Sequence, residues 1–256
     1  MSIMTMTMTT TTITTMTTST DKKQKNIQDS VAVMQLLQFT DSAFPVGTFS
    51  FSNGLETAAY EKIVTDKATL KEFARSQGWQ AAFTDGIAAL HAFRAFSNGN
   101  NEDILKSDSE LMLSKMNEEA RLMLTRMGKK LAELGVRLYP EDPMIKSFLD
   151  TINSGKTPGM YPVAQGIMFA KAGLSEKDLF FSHQYGVINM VLSAALRCVR
   201  VSHYDTQEIL FELSAETERL YEMVKDMRLD EMNAFFPELD ILSSLPEKGT
   251  QRMFMS

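Results

Sequence analysis

Apolar residues recur at helical spacing from about Asp29 onward. Val33, Leu36 and Leu37 open a first helix predicted to end near Thr40, and a second element is predicted after Asn53-Gly54. Thr65 or Asp66 then caps a long helical stretch with apolar positions Leu70, Phe73 and Ala74, followed by Phe83, Ile87, Leu90 and Phe93. Gly78 and Gly86 within it mark a kink or a close helix crossing, and Ser97-Asn98-Gly99-Asn100 closes it. Asn101 to Leu138 reads as one or two helices, stopped by Pro140 and Pro143. Residues 153–159 form an interior loop, after which a helix is predicted over about Tyr161 to Ala172. Ser175-x-x-Asp178 is a capping pair for the next helix, about 176–200, whose apolar character on nearly every side predicts a place at the centre of a bundle. A last long helix is predicted from about Thr206 to Met227, with Ile209, Leu210, Leu213, Leu220 and Met223 on one face.

No alternating apolar run is long enough for a sheet. The predicted fold class is therefore all-α: a single-domain helical bundle over residues 29–242, a disordered Met/Thr-rich tail over 1–28 and a C-terminal docking arm over 243–256. The tail carries five of the 19 methionines, so the core is less methionine-rich than the total suggests.

Composition narrows the function classes. Of 256 residues, 44% are apolar, enough for a packed core, and the net charge of -6 without a dense Lys/Arg run argues against nucleic-acid binding. Cys198 is the only cysteine, which excludes an internal disulfide and the usual zinc spacings and fits the reducing cytoplasm. The most apolar stretch, Leu179 to Val199, is interrupted by Ser182, His183, Gln184, Asn189 and Arg197, so it reads as a buried helix and not a membrane span.

Candidate chemistry is sparse. His91, His183 and His203 show no i, i+4 pairing; His183, beside a buried segment, is a candidate proton or metal group as well as a plain satisfied core side chain. Gly128-Lys129 fails the phosphate-loop pattern because Met123 stands where a glycine is required and Lys130 where Ser or Thr is required. Gly155-Lys156-Thr157 fails because Asp150 takes the glycine position and no strand precedes it. Cys198 in its apolar helix reads as an inert buried thiol. No catalytic residue, metal ligand or cofactor is predicted.

Two segments are more specific. Thr40 to Glu56 places Phe44, Phe49 and Phe51 in a turn forced by Pro45 and Gly47. Phe44 is assigned to the core, and one of Phe49 and Phe51 to a partner. The chain ends in Arg252, Met253, Phe254 and Met255, residue types suited to a partner-binding arm that orders on docking.

Leu37 to Glu56, LQFTDSAFPVGTFSFSNGLE, resembles the N-terminal signature of the UreF family of urease accessory proteins, and the ending QRMFMS is similar to the arm of its epsilonproteobacterial-type members. Glu119-Ala120-Arg121 with Arg126-Met127-Gly128, Tyr161-Pro162-Val163-Ala164-x-Gly166, and Gln184-Tyr185 with Asn189 to Arg197 resemble further family segments in the same order. The resemblance implies an all-helical, non-enzymatic homodimer that binds the accessory protein called UreD or UreH and recruits the GTPase UreG. Together these act as a GTP-dependent chaperone inserting nickel into apo-urease, with proposed roles for the family in regulating the GTPase and offering a water-filled route for the metal. Phe49 stands where relatives often have Tyr, and Arg252 matches an arm arginine that helps shape the surface met by the GTPase. Val201-Ser202-His203-Tyr204 replaces a Pro-Leu-type turn, and the Met/Thr head has no family counterpart. Two other readings stay open: a metal-binding helical protein using His183, Cys198 and nearby carboxylates, and a regulator of some other GTPase with Arg252 as a supplied finger.

Overall fold

The computed structural model describes residues 30–41, 43–47, 51–233 and 236–244. The chain divides into two compact units, Met1–Phe39 and Thr40–Ser256. Helix α1, Ser30–Thr40, belongs to the first apart from its last residue. The second unit carries α2 (Leu55–Tyr60), α3 (Lys67–Ala81), a π-helical turn (Ala82–Gly86), α4 (Ile87–Ser97), α5 (Asn101–Ser114) and α6 (Glu118–Leu138). It continues through α7 (Pro143–Asn153), α8 (Tyr161–Lys171), α9 (Glu176–Cys198), α10 (His203–Ser214), α11 (Thr217–Val224), a 3-10 turn (Leu229–Glu231) and α12 (Pro237–Ser244). The architecture is all-α, with no strand among the described residues.

Local chemistry sets most boundaries. Asp66 caps α3 by accepting from the Thr69 backbone N–H at 2.9 Å. Ser175 and Asp178 form a reciprocal capping box for α9, and Ser202 and Asp205 repeat it for α10. Asp142 caps α7, whose first residue is Pro143, and Gly99 takes a positive φ of 71° in the turn between α4 and α5.

One boundary differs from the sequence pattern, and one predicted irregularity takes a specific form. The helix predicted over about Thr206 to Met227 is two helices, α10 and α11, separated at Ala215-Glu216. There the Glu216 carboxylate accepts from Arg75 Nε at 2.9 Å, and Thr217, Leu220 and Val224 bury a new face. The Gly78/Gly86 stretch kinks as a π-helical turn, with Phe180 Cε2 only 2.7 Å from where a Cβ on Gly86 would lie.

Among the described residues the longest unbroken run of buried residues within one helix lies in α8, which packs against α9 as well. Eight consecutive α8 residues, Pro162 to Phe169, are buried between α4 and α6. The approach to α4 is so close that a Cβ on Gly166 would sit 2.5 Å from the Ala89 carbonyl oxygen. Helix α9 instead packs one side on α2, α3 and α10 through Val191, Leu192 and Ala195, against Leu55, Leu70, Phe73, Ile209 and Leu213. Each such buried aliphatic side chain contributes about 1.5–3 kcal/mol. By length and composition α9 alone among the described helices could cross a membrane, yet 56% of its most apolar window is buried in the fold, as expected of a core helix.

Candidate functional site

The segment from Asp41 to Gly54 is tied to the bundle at both ends of its described parts. Asp41 accepts from Ala43 N at 2.6 Å through its side chain and from Phe44 N at 3.0 Å through its carbonyl, and Gly47 turns the chain at φ 88°. Val46, Phe51 and Ser52 are buried, and Gln77 Nε2 donates to the Asn53 carbonyl at 2.8 Å. Gly54, at φ 80°, lies so close to Ser243 of α12 that a Cβ would meet its Oγ at 2.8 Å.

These contacts sort the rings named from sequence. Phe44 is half-buried, so the anchoring assigned to it falls mainly to Val46 and Phe51. Phe51 is only 5% exposed, so its own ring does not face a partner from that position. Phe49 and the arm residues Arg252, Met253, Phe254 and Met255 lie outside the described residues. The last described helix before the arm, α12, is held by Asp240, which accepts from Asn117 Nδ2 at 2.6 Å and Gln80 Nε2 at 3.4 Å.

A second polar centre lies inside the bundle, at the π-helical turn. Lys115 Nζ, from the α5–α6 linker, donates to Asp85 Oδ2 at 2.6 Å and to Thr84 Oγ1 at 3.1 Å. The pair is nearly sealed, its side chains 11% and 9% exposed. His183 of α9 donates from Nδ1 to Gln165 Oε1 of α8 at 2.9 Å, with the Tyr161 ring 6.5 Å away. Burial holds the His183 imidazole below its ordinary range, against the pull of Asp85 and with the push of Lys115. Burial likewise drives the Tyr161 phenol far above its ordinary range. Asp85 Oδ1, His183 Nε2 and both amide atoms of Gln184 are buried without a hydrogen-bond partner among the described residues. Its place beside an apolar segment made His183 a candidate from sequence, whereas nothing local pointed to Asp85 or Lys115, whose pairing spans 30 residues.

The other candidate groups are ordinary. His91 Nε2 donates to the Met227 carbonyl at 2.8 Å, and His203 is exposed at the start of α10. Burial pushes the Cys198 thiol up to about 11, which keeps it protonated and weakly nucleophilic at neutral pH. Among the described residues no group of three or more His, Cys, Asp or Glu side chains is placed to hold a metal ion. A cleft of about 490 Å³ between α4, α5 and the 3-10 turn mixes Arg94, Lys106 and Arg228 with Asp103, Glu110 and Asp230. Its arginines are already engaged, Arg94 by Glu176 and Arg228 by Asp230.

The remaining feature is the side of α9 turned away from α3. Tyr185 is 40% exposed, and Gly186, Asn189, Met190 and Ser193, which follow one another at helical spacing, are only half-buried. A largely uncharged stripe on a long helix is a surface suited to a protein partner.

The family model for UreF matches residues 64–214. Over 222 residues the chain is 40% identical to the urease accessory protein UreF of Yersinia enterocolitica serotype O:8, covering 87% of this chain and 97% of that relative. It is 41% identical, over the same shares, to the urease accessory proteins UreF of Yersinia pseudotuberculosis serotype IB and of Yersinia pestis strain Pestoides F. The matched region runs through the capped helices, the π-helical turn and the open side of α9, and the chain belongs to the UreF family of urease accessory proteins.

Proposed function

We propose that this chain is a non-catalytic cytoplasmic scaffold in urease maturation. It binds a UreD/UreH-type accessory protein, recruits a UreG-type GTPase, and in that GTP-dependent complex inserts nickel into apo-urease. The observation that carries the reading is similarity to urease accessory proteins along nearly the whole length of the relatives. The surface features agree with it: a loop fixed to the bundle by Val46 and Phe51, and an arm that follows α12 directly. The reading includes a homodimer, for which the open side of α9 is the best described face. GTPase regulation then belongs to the docked complex, with Phe49, Phe51, Arg252, Met253, Phe254 and Met255 as the docking set and Phe51 acting from beneath by holding the loop.

The test is co-expression with UreD/UreH-type and UreG-type proteins, followed by size-exclusion chromatography with light scattering. A complex with about two copies of each protein, whose last step depends on GTP or an analogue, is the expected result. A lone chain that ignores both proteins would refute the scaffold reading.

A further inference from the structure

We propose that the outer face of α6 is a docking surface for an acidic protein surface, and that it works together with the loop beside Gly47. From Arg126 to Arg137 every charged residue is exposed, namely Arg126, Lys129, Lys130, Glu133 and Arg137. Their spacing of three and four residues sets them on one side of the helix over about three turns, a length of about 16 Å. The opposite side is buried through Met127, Leu131 and Gly135. A Cβ on Gly135 would meet Met168 Sδ of α8 at 2.8 Å, so close packing holds the stripe at a fixed angle. Lys67 and Lys71 on α3 and Lys177 on α9 each hold a carboxylate of a neighbouring helix. Among the described residues the four α6 cations hold none, and Glu133, one turn from Lys129 and from Arg137, pairs with neither.

Charge decides the occupant. Four cations against one carboxylate make the stripe positive in a chain of net charge -6, so it complements an acidic partner. A second copy is disfavoured, because a two-fold contact of this face brings two net-positive stripes together. A continuous polyanion, whether duplex nucleic acid or an anionic membrane, is repelled by Glu133 in the middle of the stripe, whereas a folded protein answers it with one basic group among acidic ones. The occupant is therefore a protein with acidic groups opposite Arg126, Lys129 and Arg137 and a basic group opposite Glu133. Lys130 leads to the loop, its Nζ lying 3.5 Å from where a Cβ on Gly47 would stand. Stripe and loop thus form one surface, and the loop's partner is the stripe's occupant, a step that rests on the scaffold reading.

The test uses Arg126→Glu with Lys129→Glu, which leaves Lys130 against the loop, and separately Glu133→Lys, with unchanged urea midpoints confirming that each variant folds. The full chain is mixed with the UreD/UreH-type and UreG-type proteins, singly and together, and association is timed at about 0.05 M and about 0.5 M NaCl. The double variant should slow association with one of the two proteins about tenfold at low salt and lose most of that effect at high salt. Arg126→Gln with Lys129→Gln should act in the same direction to a smaller extent. Glu133→Lys should weaken the same complex although it makes the stripe more basic. Tighter assembly by Glu133→Lys, or binding of the wild type to duplex DNA or phosphatidylserine vesicles that the double variant loses, would put a polyanion in place of the protein and overturn the proposal. Wild-type rates in all variants at low salt would overturn the stripe and leave the scaffold reading standing. A wild-type chain that assembles with neither protein would overturn both.

Discussion

Asp108 Oδ2 accepts a hydrogen bond from Thr157 Oγ1 at 2.6 Å, linking α5 to the loop that opens α8. The same carboxylate accepts from the backbone N–H groups of Gly159 at 2.7 Å and Met160 at 2.6 Å, and all four residues are buried. Met160 is the N-cap of α8, so one buried side chain fixes where that helix begins. Asp108→Asn keeps the shape but turns one oxygen into a donor that meets other donors. It should cost about 3 kcal/mol, measured by urea unfolding at neutral pH. A loss below about 1 kcal/mol would show that the loop is held by packing alone.

The pH dependence of that variant has a definite sign. Burial is the largest influence on Asp108 and raises its carboxyl above the ordinary range despite the three donors. The native chain then takes up this proton at higher pH than the unfolded chain, so Asp108 adds stability as pH falls through its native value. The gap between wild type and Asp108→Asn should widen as pH falls towards the ordinary carboxylate value of about 3.9.

Gly128 answers Asp108 from the other side of the same loop. A Cβ there would lie 2.0 Å from the Gly159 carbonyl oxygen and 2.7 Å from Tyr161 N, backbone atoms that cannot swing aside. Gly128→Ala should therefore cost about 3 kcal/mol although alanine is the better helix former, as read from the shift in urea midpoint. A neutral or stabilising result would mean that the loop moves freely on α6.

How much of this was legible beforehand depended on the range of the interaction. The capping pair Ser175-x-x-Asp178, the Asp66 cap and the Asn98-Gly99-Asn100 turn act within a few residues, and the sequence shows them. The break between α10 and α11 has no Gly or Pro to announce it, because it depends on Glu216 reaching Arg75. Phe44 and Phe51 looked alike as loop aromatics, and only tertiary packing separates a half-buried ring from a buried one. Helix α9 was legible in part: its apolar character predicted a core helix, which packs on α2, α3, α4, α8 and α10, but the sequence pattern did not show that the side with Tyr185 stays open.

Arg252 carries the docking prediction, from its match to the family's arm arginine. Arg252→Ala should weaken assembly with the GTPase by about 2 kcal/mol, roughly thirtyfold, while leaving binding of the UreD/UreH-type protein unchanged. Wild-type recruitment by this variant, measured by titration of the purified complex, would remove the arm from the docking set.

Helix α3 is cross-linked once per turn, to α10 and to the break that follows it. Lys67 pairs with Glu208, Lys71 with Glu212 at 2.9 Å and Arg75 with Glu216 at 2.9 Å, each pair 141 residues apart. The Lys pairs are largely exposed and should show no coupling in a double-mutant cycle at about 0.5 M salt. Arg75 also holds Glu72 and shares Glu216 with Trp79, so Arg75→Ala should cost about 1 kcal/mol and keep most of that cost in salt. Equal losses for all three rungs would show that the helices are held by charge more than by Leu70, Phe73, Ile209 and Leu213.

Gly186 separates the stability of α9 from its role as an interface. Among the described residues nothing lies within 4 Å of a Cβ built there, so in a lone protomer alanine should stabilise the helix by about 1 kcal/mol. On a dimer face the same methyl group stands between two copies and should weaken their association. Gly186→Ala should therefore raise the unfolding midpoint at low protein concentration and lower the dimer fraction seen by light scattering. Met190→Lys, four residues along the stripe, should abolish the dimer while leaving helical circular dichroism intact, since its half-buried side chain can carry the ammonium out to water. If both variants remain fully dimeric, the copies meet elsewhere and the open side of α9 faces a different protein.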